Sequence, residues 1–245
     1  REGDVVTTIE PEVQTRLALD IEKVQERYSS QESGGIIMDP ATGAILAIAT
    51  YPTYDGNALQ SVDPSMLGNS FVEHVHEFGS IMKPMTIASA LDAGVITPNT
   101  TYNDTGCIYL SNYPICNYDL KARGPGTPVQ QILSQSLNVG ASFIATELGS
   151  TRMRDYFINH YALGTTTGVD LPAEASGIVT NLKSPRQLEY DEASFGQGIA
   201  MTPLETIRAL AVIANGGYLV TPHVGSSIIN AEGIEGPISL PQRQQ

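Results

Sequence analysis

Apolar residues at Val13, Leu17, Ile21, Val24 and Tyr28 recur every three or four positions, which predicts an amphipathic helix running from Pro11 to near Ser29. Pro11 suits the first turn, where its missing N–H has no intrahelical role. Ahead of it, Val5-Val6-Thr7-Thr8-Ile9 reads as extended chain. Short apolar runs at 35–38 and 44–49 flank Asp39-Pro40-Ala41-Thr42-Gly43, whose Pro and Gly positions suit a tight reversal, so together they predict a central hairpin. The polar stretch from 52 to about 69 predicts loop with some local helix.

From Gly79-Ser80 onward, Met82, Met85, Ile87, Ala88 and Leu91 predict a mostly buried helix closed by Gly94, with Pro98 beyond it. Pro84 limits where that helix begins. A proline ring clashes with the carbonyl four residues back, so Ser80 has to lie at or near the helix start. Segments 127–148, 151–161 and 203–214 predict further helices, the last ended by Asn215-Gly216-Gly217, and Gly124-Pro125-Gly126 predicts a turn. Helical and strand-like patterns mix without regular alternation. This favours an α+β fold over a doubly wound parallel sheet.

A chain of 245 residues with 41% hydrophobic content can bury a sizeable core. Its 26 acidic against 13 basic residues give a net charge of -13, which argues against a nucleic-acid partner or an anionic membrane surface. No stretch approaches the roughly 20 apolar residues of a membrane span, and the chain opens on Arg1, so any signal or anchor is expected upstream. Cys107 and Cys116 allow two readings. Short strands turning at Ser111-Asn112 would set the sulfurs opposite one another for a disulfide, which implies an oxidising compartment; otherwise they are unpaired thiols. His74 and His76 with Glu73 and Glu77 alternate in a loop and fit no zinc pattern, so no metal or cofactor is expected. Glu189, Asp191 and Glu192 sit together without a facing partner and read as surface charge.

Ser80-Ile81-Met82-Lys83 has the S-x-x-K form, which on a helix sets hydroxyl and amine on one face. A serine hydroxyl is a poor nucleophile until a base takes its proton, and a lysine serves if burial lowers its pKa. The positive end of the helix can also stabilise an oxyanion formed at Ser80. Alone the motif carries little, since about one S-x-x-K is expected by chance in a chain of this length.

Further along stands the S-x-N string Ser136-Leu137-Asn138, followed by Val139-Gly140. With Asp39-Pro40-Ala41-Thr42-Gly43, Thr167-Gly168-Val169-Asp170-Leu171-Pro172, Ser194-Phe195-Gly196-Gln197-Gly198 and Thr202-Pro203-Leu204, these ordered blocks resemble the class B type of penicillin-binding protein transpeptidase domain. The resemblance covers nearly the whole chain and implies one domain over 1–245. It implies a penicillin-binding/β-lactamase-like α+β fold, with an antiparallel sheet flanked by helices and a mainly helical subdomain carrying Ser136 and Asn138. By the resemblance, Ser80 is acylated by a peptidoglycan stem peptide, Lys83 is the general base and Ser136 relays protons. Asn138 holds the substrate amide and Lys83, while Gly196 and Gln197 line the substrate site. The implied partners are stem peptides, β-lactams and other cell-wall synthesis proteins, on the extracytoplasmic face of a bacterial membrane. A non-catalytic relative that binds peptidoglycan or a β-lactam is the alternative.

The match has departures. The family usually reads Glu-Pro-Gly-Ser-Thr-Phe-Lys where this chain has Glu77-Phe78-Gly79-Ser80-Ile81-Met82-Lys83. The family's third motif, Lys-Thr-Gly, does not occur; Lys183-Ser184-Pro185 precedes the Phe195 block, whereas that motif follows it. The expectation is therefore a chain lacking the family's last strands and C-terminal helix, and inactive alone.

Overall fold

The structure, a computed structural model, describes residues 3–64, 67–110 and 112–239. In chain order, β1 (Gly3–Thr7) leads to α1 (Pro11–Tyr28), β2 (Ser33–Met38), β3 (Ile45–Tyr51), a 3-10 turn at Gly56–Ser61 and the short α2 (Ser70–Glu73). A second 3-10 turn, Gly79–Met82, runs into α3 (Lys83–Asp92), and strands β4 (Thr101–Asp104), β5 (Cys107–Leu110), β6 (Tyr113–Cys116) and β7 (Gly124–Pro128) follow. Helices α4 (Gln130–Ser134), α5 (Asn138–Leu148), α6 (Ser150–Asp155), α7 (Gln187–Ala193) and α8 (Pro203–Ala214) precede β8 (Gly225–Asn230) and β9 (Glu235–Pro237). The named strands pair antiparallel, and the fold is α+β. The chain divides into two compact units.

One unit comprises Arg1–His74, Thr166–Ala175 and Thr202–Gln245. Its sheet runs β1-β8-β9, and β2 and β3 form the expected hairpin, joined to the segment before β8 by Ile45 N donating to His223 O (2.9 Å) and His223 N to Gly43 O (3.0 Å). Helix α1 lies along the hairpin. Val13, Leu17 and Ile21 are half-buried, while Val24 and Tyr28, the end of the same stripe, stay exposed. Gln14 stands in for a neighbouring strand: its Nε2 donates to Ile48 O (2.9 Å) and its Oε1 accepts from Ile48 N (2.8 Å), satisfying both main-chain groups. Ile45, Val72, Val169 and Leu204 form a buried cluster beneath.

The other unit, Val75–Thr165 with Ser176–Met201, is mainly helical and carries the candidate residues. Its core gathers Ile87, Ala90, Ile96, Tyr102, Ile132, Leu137, Ile144 and Phe195 from α3, α4, α5, β4 and the chain around them. Here the structure corrects two expectations. The predicted helix over 127–148 is interrupted: Thr127 and Pro128 belong to β7, α4 ends at Ser134, and α5 starts afresh at Asn138. Gly124-Pro125-Gly126 is not a turn but the start of β7, paired with β4, with Gly124 and Gly126 at positive φ where a ladder irregularity bends the strand. The 151–161 segment is helical as expected, α6 being continued by a π-helical turn at Tyr156–His160. Among the described residues, no helix is long and apolar enough to cross a membrane.

Candidate active site

Ser80 lies in the 3-10 turn that opens α3, and Pro84 falls in the first turn of α3, where it displaces no helical hydrogen bond. Ser80 is exposed while Lys83, one turn on, is 1% exposed. Lys83 Nζ donates to Ser80 Oγ (3.1 Å), Ser136 Oγ (3.1 Å) and Asn138 Oδ1 (2.8 Å), and Ser136 Oγ donates to Ser80 Oγ (2.8 Å). Burial pushes the Lys83 amine down to about 8. Met82 is buried and Ile81 is exposed.

The break between α4 and α5 is what assembles this cluster. On a continuous helix, residues two apart face different sides, so Ser136 and Asn138 could not both reach one amine. Instead Ser136 adopts φ +54°, Leu137 is extended and buried at 1% exposure, and Leu137 N donates to Ile132 O (3.1 Å). Anchoring Leu137 in the core turns the residues on either side of it toward Lys83. Asn138 is itself held, since its Nδ2 donates to Cys116 O (3.0 Å).

Gly196 is buried and backs the segment that enters Ser80: Gly79 N donates to Gly196 O (3.2 Å). A Cβ on Gly196 would stand 2.2 Å from Gly79 O. Gln197 N donates to Glu192 O (3.0 Å), and the Gln197 side chain is exposed. Cys107 and Cys116 are joined by a disulfide across β5 and β6, where they are directly paired. Asn112 of the expected turn has φ +71°, and Ser111 lies outside the described residues. His76 is not free loop but exchanges main-chain hydrogen bonds with Met201. Among the described residues no group of three or more His, Cys, Asp or Glu is placed to hold a metal.

A family model described as the penicillin binding protein transpeptidase domain matches residues 34–245. The chain belongs to this family. It is 28% identical over 93% of its length to Stage V sporulation protein D of Bacillus subtilis, of which that covers 35%. It is 29% identical over 89% of its length to the probable peptidoglycan D,D-transpeptidase PenA of Neisseria gonorrhoeae, covering 36% of it. The chain thus spans about a third of the length of these curated relatives. A solved putative peptidoglycan glycosyltransferase from Atopobium parvulum is 31% identical with a TM-score of 0.86, over 98% of this chain and 55% of that one. Penicillin binding protein 3 of Mycobacterium tuberculosis, complexed with aztreonam, superposes with a TM-score of 0.90 at 23% identity over 99% of this chain and 54% of that one, and so shares the fold.

Within this penicillin-binding transpeptidase fold, α7 departs from the surface helix its charges predict. Asp191 is 0% and Glu189 5% exposed, Glu189 pairs with Arg186, and Gln187 Nε2 donates to Asp191 Oδ1 (2.8 Å). Burial pushes the Asp191 carboxyl up to about 6; the Gln187 amide and Ser142 hydroxyl only partly offset this, and the neighbouring Glu192 charge adds to it. An unfolded carboxyl ionises near 4, so the folded state holds the extra proton between those values, and stability falls as pH rises from about 4 through 6. Asp191→Asn is therefore expected to stabilise the domain at pH 7 by on the order of 1–3 kcal/mol, shrinking by about half at pH 5. Urea unfolding at the two pH values checks this, and an equal increment at both would contradict it.

Proposed function

We propose that the protein carrying this chain is a peptidoglycan D,D-transpeptidase, acting through an acyl-enzyme on Ser80 and trapped there by β-lactams. The observation that carries the reading is the buried Lys83 Nζ, held within 3.1 Å of Ser80 Oγ and Ser136 Oγ and 2.8 Å from Asn138 Oδ1. The family description supports β-lactam capture, and relatives named as peptidoglycan D,D-transpeptidases support the substrate class.

With Lys83 neutral, Ser80 turns its hydroxyl proton to the Nζ lone pair. The Ser80 oxygen attacks the carbonyl carbon of the penultimate D-Ala, and the proton passes to Lys83. As the C–N bond to the terminal D-Ala breaks, its nitrogen takes a proton from Ser136, which Lys83 resupplies across 3.1 Å. D-Ala leaves as an amine and Lys83 is neutral again. The amine of a second stem then attacks the ester, its proton returns to Ser80 by the reverse route, and an amide bond replaces the ester. In a β-lactam the C–N bond that breaks lies in the ring, so the leaving nitrogen stays tethered and obstructs the acceptor. Asn138, Gly196 and the exposed Gln197 edge are the proposed substrate contacts. The Cys107–Cys116 disulfide supports an oxidising, extracytoplasmic setting, where stem peptides and other cell-wall synthesis proteins are found.

The test is a fluorescent penicillin incubated with the full-length protein. Stoichiometric covalent labelling within minutes, absent in Ser80→Ala, is expected. Rapid β-lactam turnover without a lasting adduct would point to a β-lactamase instead, and no adduct at all to a non-catalytic peptidoglycan-binding relative.

A further inference from the structure

The first N–H groups of a helix have no partner within it and are usually met by a Ser, Thr, Asp or Asn side chain at the N-cap. At α5 the N-cap is Leu137, which makes no side-chain cap and is committed to the core. The partner comes from another segment: Asn117 Oδ1 accepts from Val139 N (3.2 Å) in the first turn of α5. Asn117 is 1% exposed and adjoins Cys116, whose carbonyl holds the Asn138 amide. Its own side chain is fixed in turn. Asn117 Nδ2 donates to Asp104 Oδ1 (2.9 Å) and Oδ2 (3.0 Å) and to Lys121 O (3.3 Å), and Asn117 N donates to Gly106 O (2.8 Å). Asp104 is 0% exposed, and its Oδ1 also accepts from Gly106 N (2.8 Å).

We propose that Asn117, clamped by Asp104, is a positioning residue for the acyl-transfer site. By capping α5 and fixing the Cys116 carbonyl, it keeps Asn138 Oδ1 on Lys83 Nζ. A buried carboxylate and amide are a poor device for stability alone, because apolar replacements of similar volume are often as stable. What such a pair does supply is a single geometry, and here the Asn117 bond to Val139 N and the adjoining Cys116 carbonyl stand on either side of the Asn138 contact. This inference rests on the acyl-transfer reading for its kinetic consequence, but the geometry at Lys83 can be read without it.

The test is a mutant cycle on the full-length protein, reading the second-order acylation constant with a fluorescent penicillin. Asn117→Ala is expected to lower it by about 10- to 100-fold, the range that a misplacement on the order of 1 Å produces. In an Asn138→Ala background the same change should add less than about twofold, because Asn117 acts through Asn138. Full, multiplicative loss in that background would overturn the proposal. If Asn117→Ala fails to fold, the exchanged pair Asp104→Asn with Asn117→Asp keeps one carboxylate, an acceptor for Val139 N and a donor between the two residues. It is expected to acylate within about threefold of the parent; a folded exchanged pair as slow as Asn138→Ala would also overturn the proposal. Titration of Lys83 by NMR in lysine-labelled protein separates the inference from the reaction. Losing the Asn138 acceptor removes a bond that favours the ammonium, so the Lys83 midpoint should fall by about one pH unit in Asn117→Ala. If the parent takes no penicillin label yet this midpoint falls, the reaction reading fails and the positioning role stands; an unmoved midpoint refutes the positioning role.

Discussion

Replacing Lys83 by alanine is expected to slow acylation of Ser80 by about 10³–10⁴-fold while the domain stays folded. Burial that brings the amine down to about 8 raises its neutral fraction at pH 7.5 from roughly one in a thousand to roughly one in four. No other described group bonded to Ser80 Oγ offers comparable basicity, since its second partner is the Ser136 hydroxyl. Removing a buried amine also removes its desolvation cost, which limits any loss of stability. Lys83→Arg distinguishes base from charge: a guanidinium keeps the positive charge but does not give up its proton, so it should fail as badly as alanine. Stopped-flow acylation with a chromogenic β-lactam, alongside thermal unfolding, reads both quantities. A rate within tenfold of the parent in either variant would sink the role of Lys83.

Gly196→Ala, a change of one methyl group, is expected to cost at least about 100-fold in acylation. Gly196 sits at φ +79°, where an L side chain is strained by roughly 1–2 kcal/mol. Its new Cβ would also stand 2.2 Å from Gly79 O and 2.6 Å from Gly79 N, both main-chain atoms with no rotamer to yield. Relief therefore requires the Gly79-Ser80 backbone to move, which carries Ser80 Oγ away from Lys83 Nζ. The same segment is tied by Gly198 N donating to Glu77 Oε1 (2.9 Å), so a displacement at Gly196 spreads to both ends of the Glu77–Ser80 turn. Acylation kinetics normalised to folded protein check this, with near-parental rates as the contrary result.

Much of this arrangement is readable in the chain, and the parts that are not share a physical cause. The α1 stripe and the Pro84 argument depend on neighbours a few residues away, and local spacing records them faithfully. Ser136 and Asn138 are different. Apolar spacing carries a helix straight through 127–148, and only the family resemblance marks them as a pair; the break that lets both reach Lys83 is imposed by the burial of Leu137, a tertiary effect that overrides local pattern. The charges of α7 mislead for the same reason, because the partners that admit Asp191 to the interior include Ser142 on α5, far away in sequence. Asp104 and Asn117, 13 residues apart, form no motif, and neither residue predicts the other. No local spacing marks β8, the central strand of its sheet, which pairs with β9 and with β1 at the opposite end of the chain.

Acyl transfer through Ser80 requires that Ser80 itself carries the acyl group. The most direct measurement is to incubate the full-length protein with a stem peptide ending in D-Ala-D-Ala, quench it in acid, digest it and locate the adduct by mass spectrometry. A stem acyl group lacking its terminal D-Ala is expected on the peptide that contains Ser80, with matching release of D-Ala, and neither in Ser80→Ala. An acyl group on any other residue, or D-Ala release undiminished in Ser80→Ala, would contradict it.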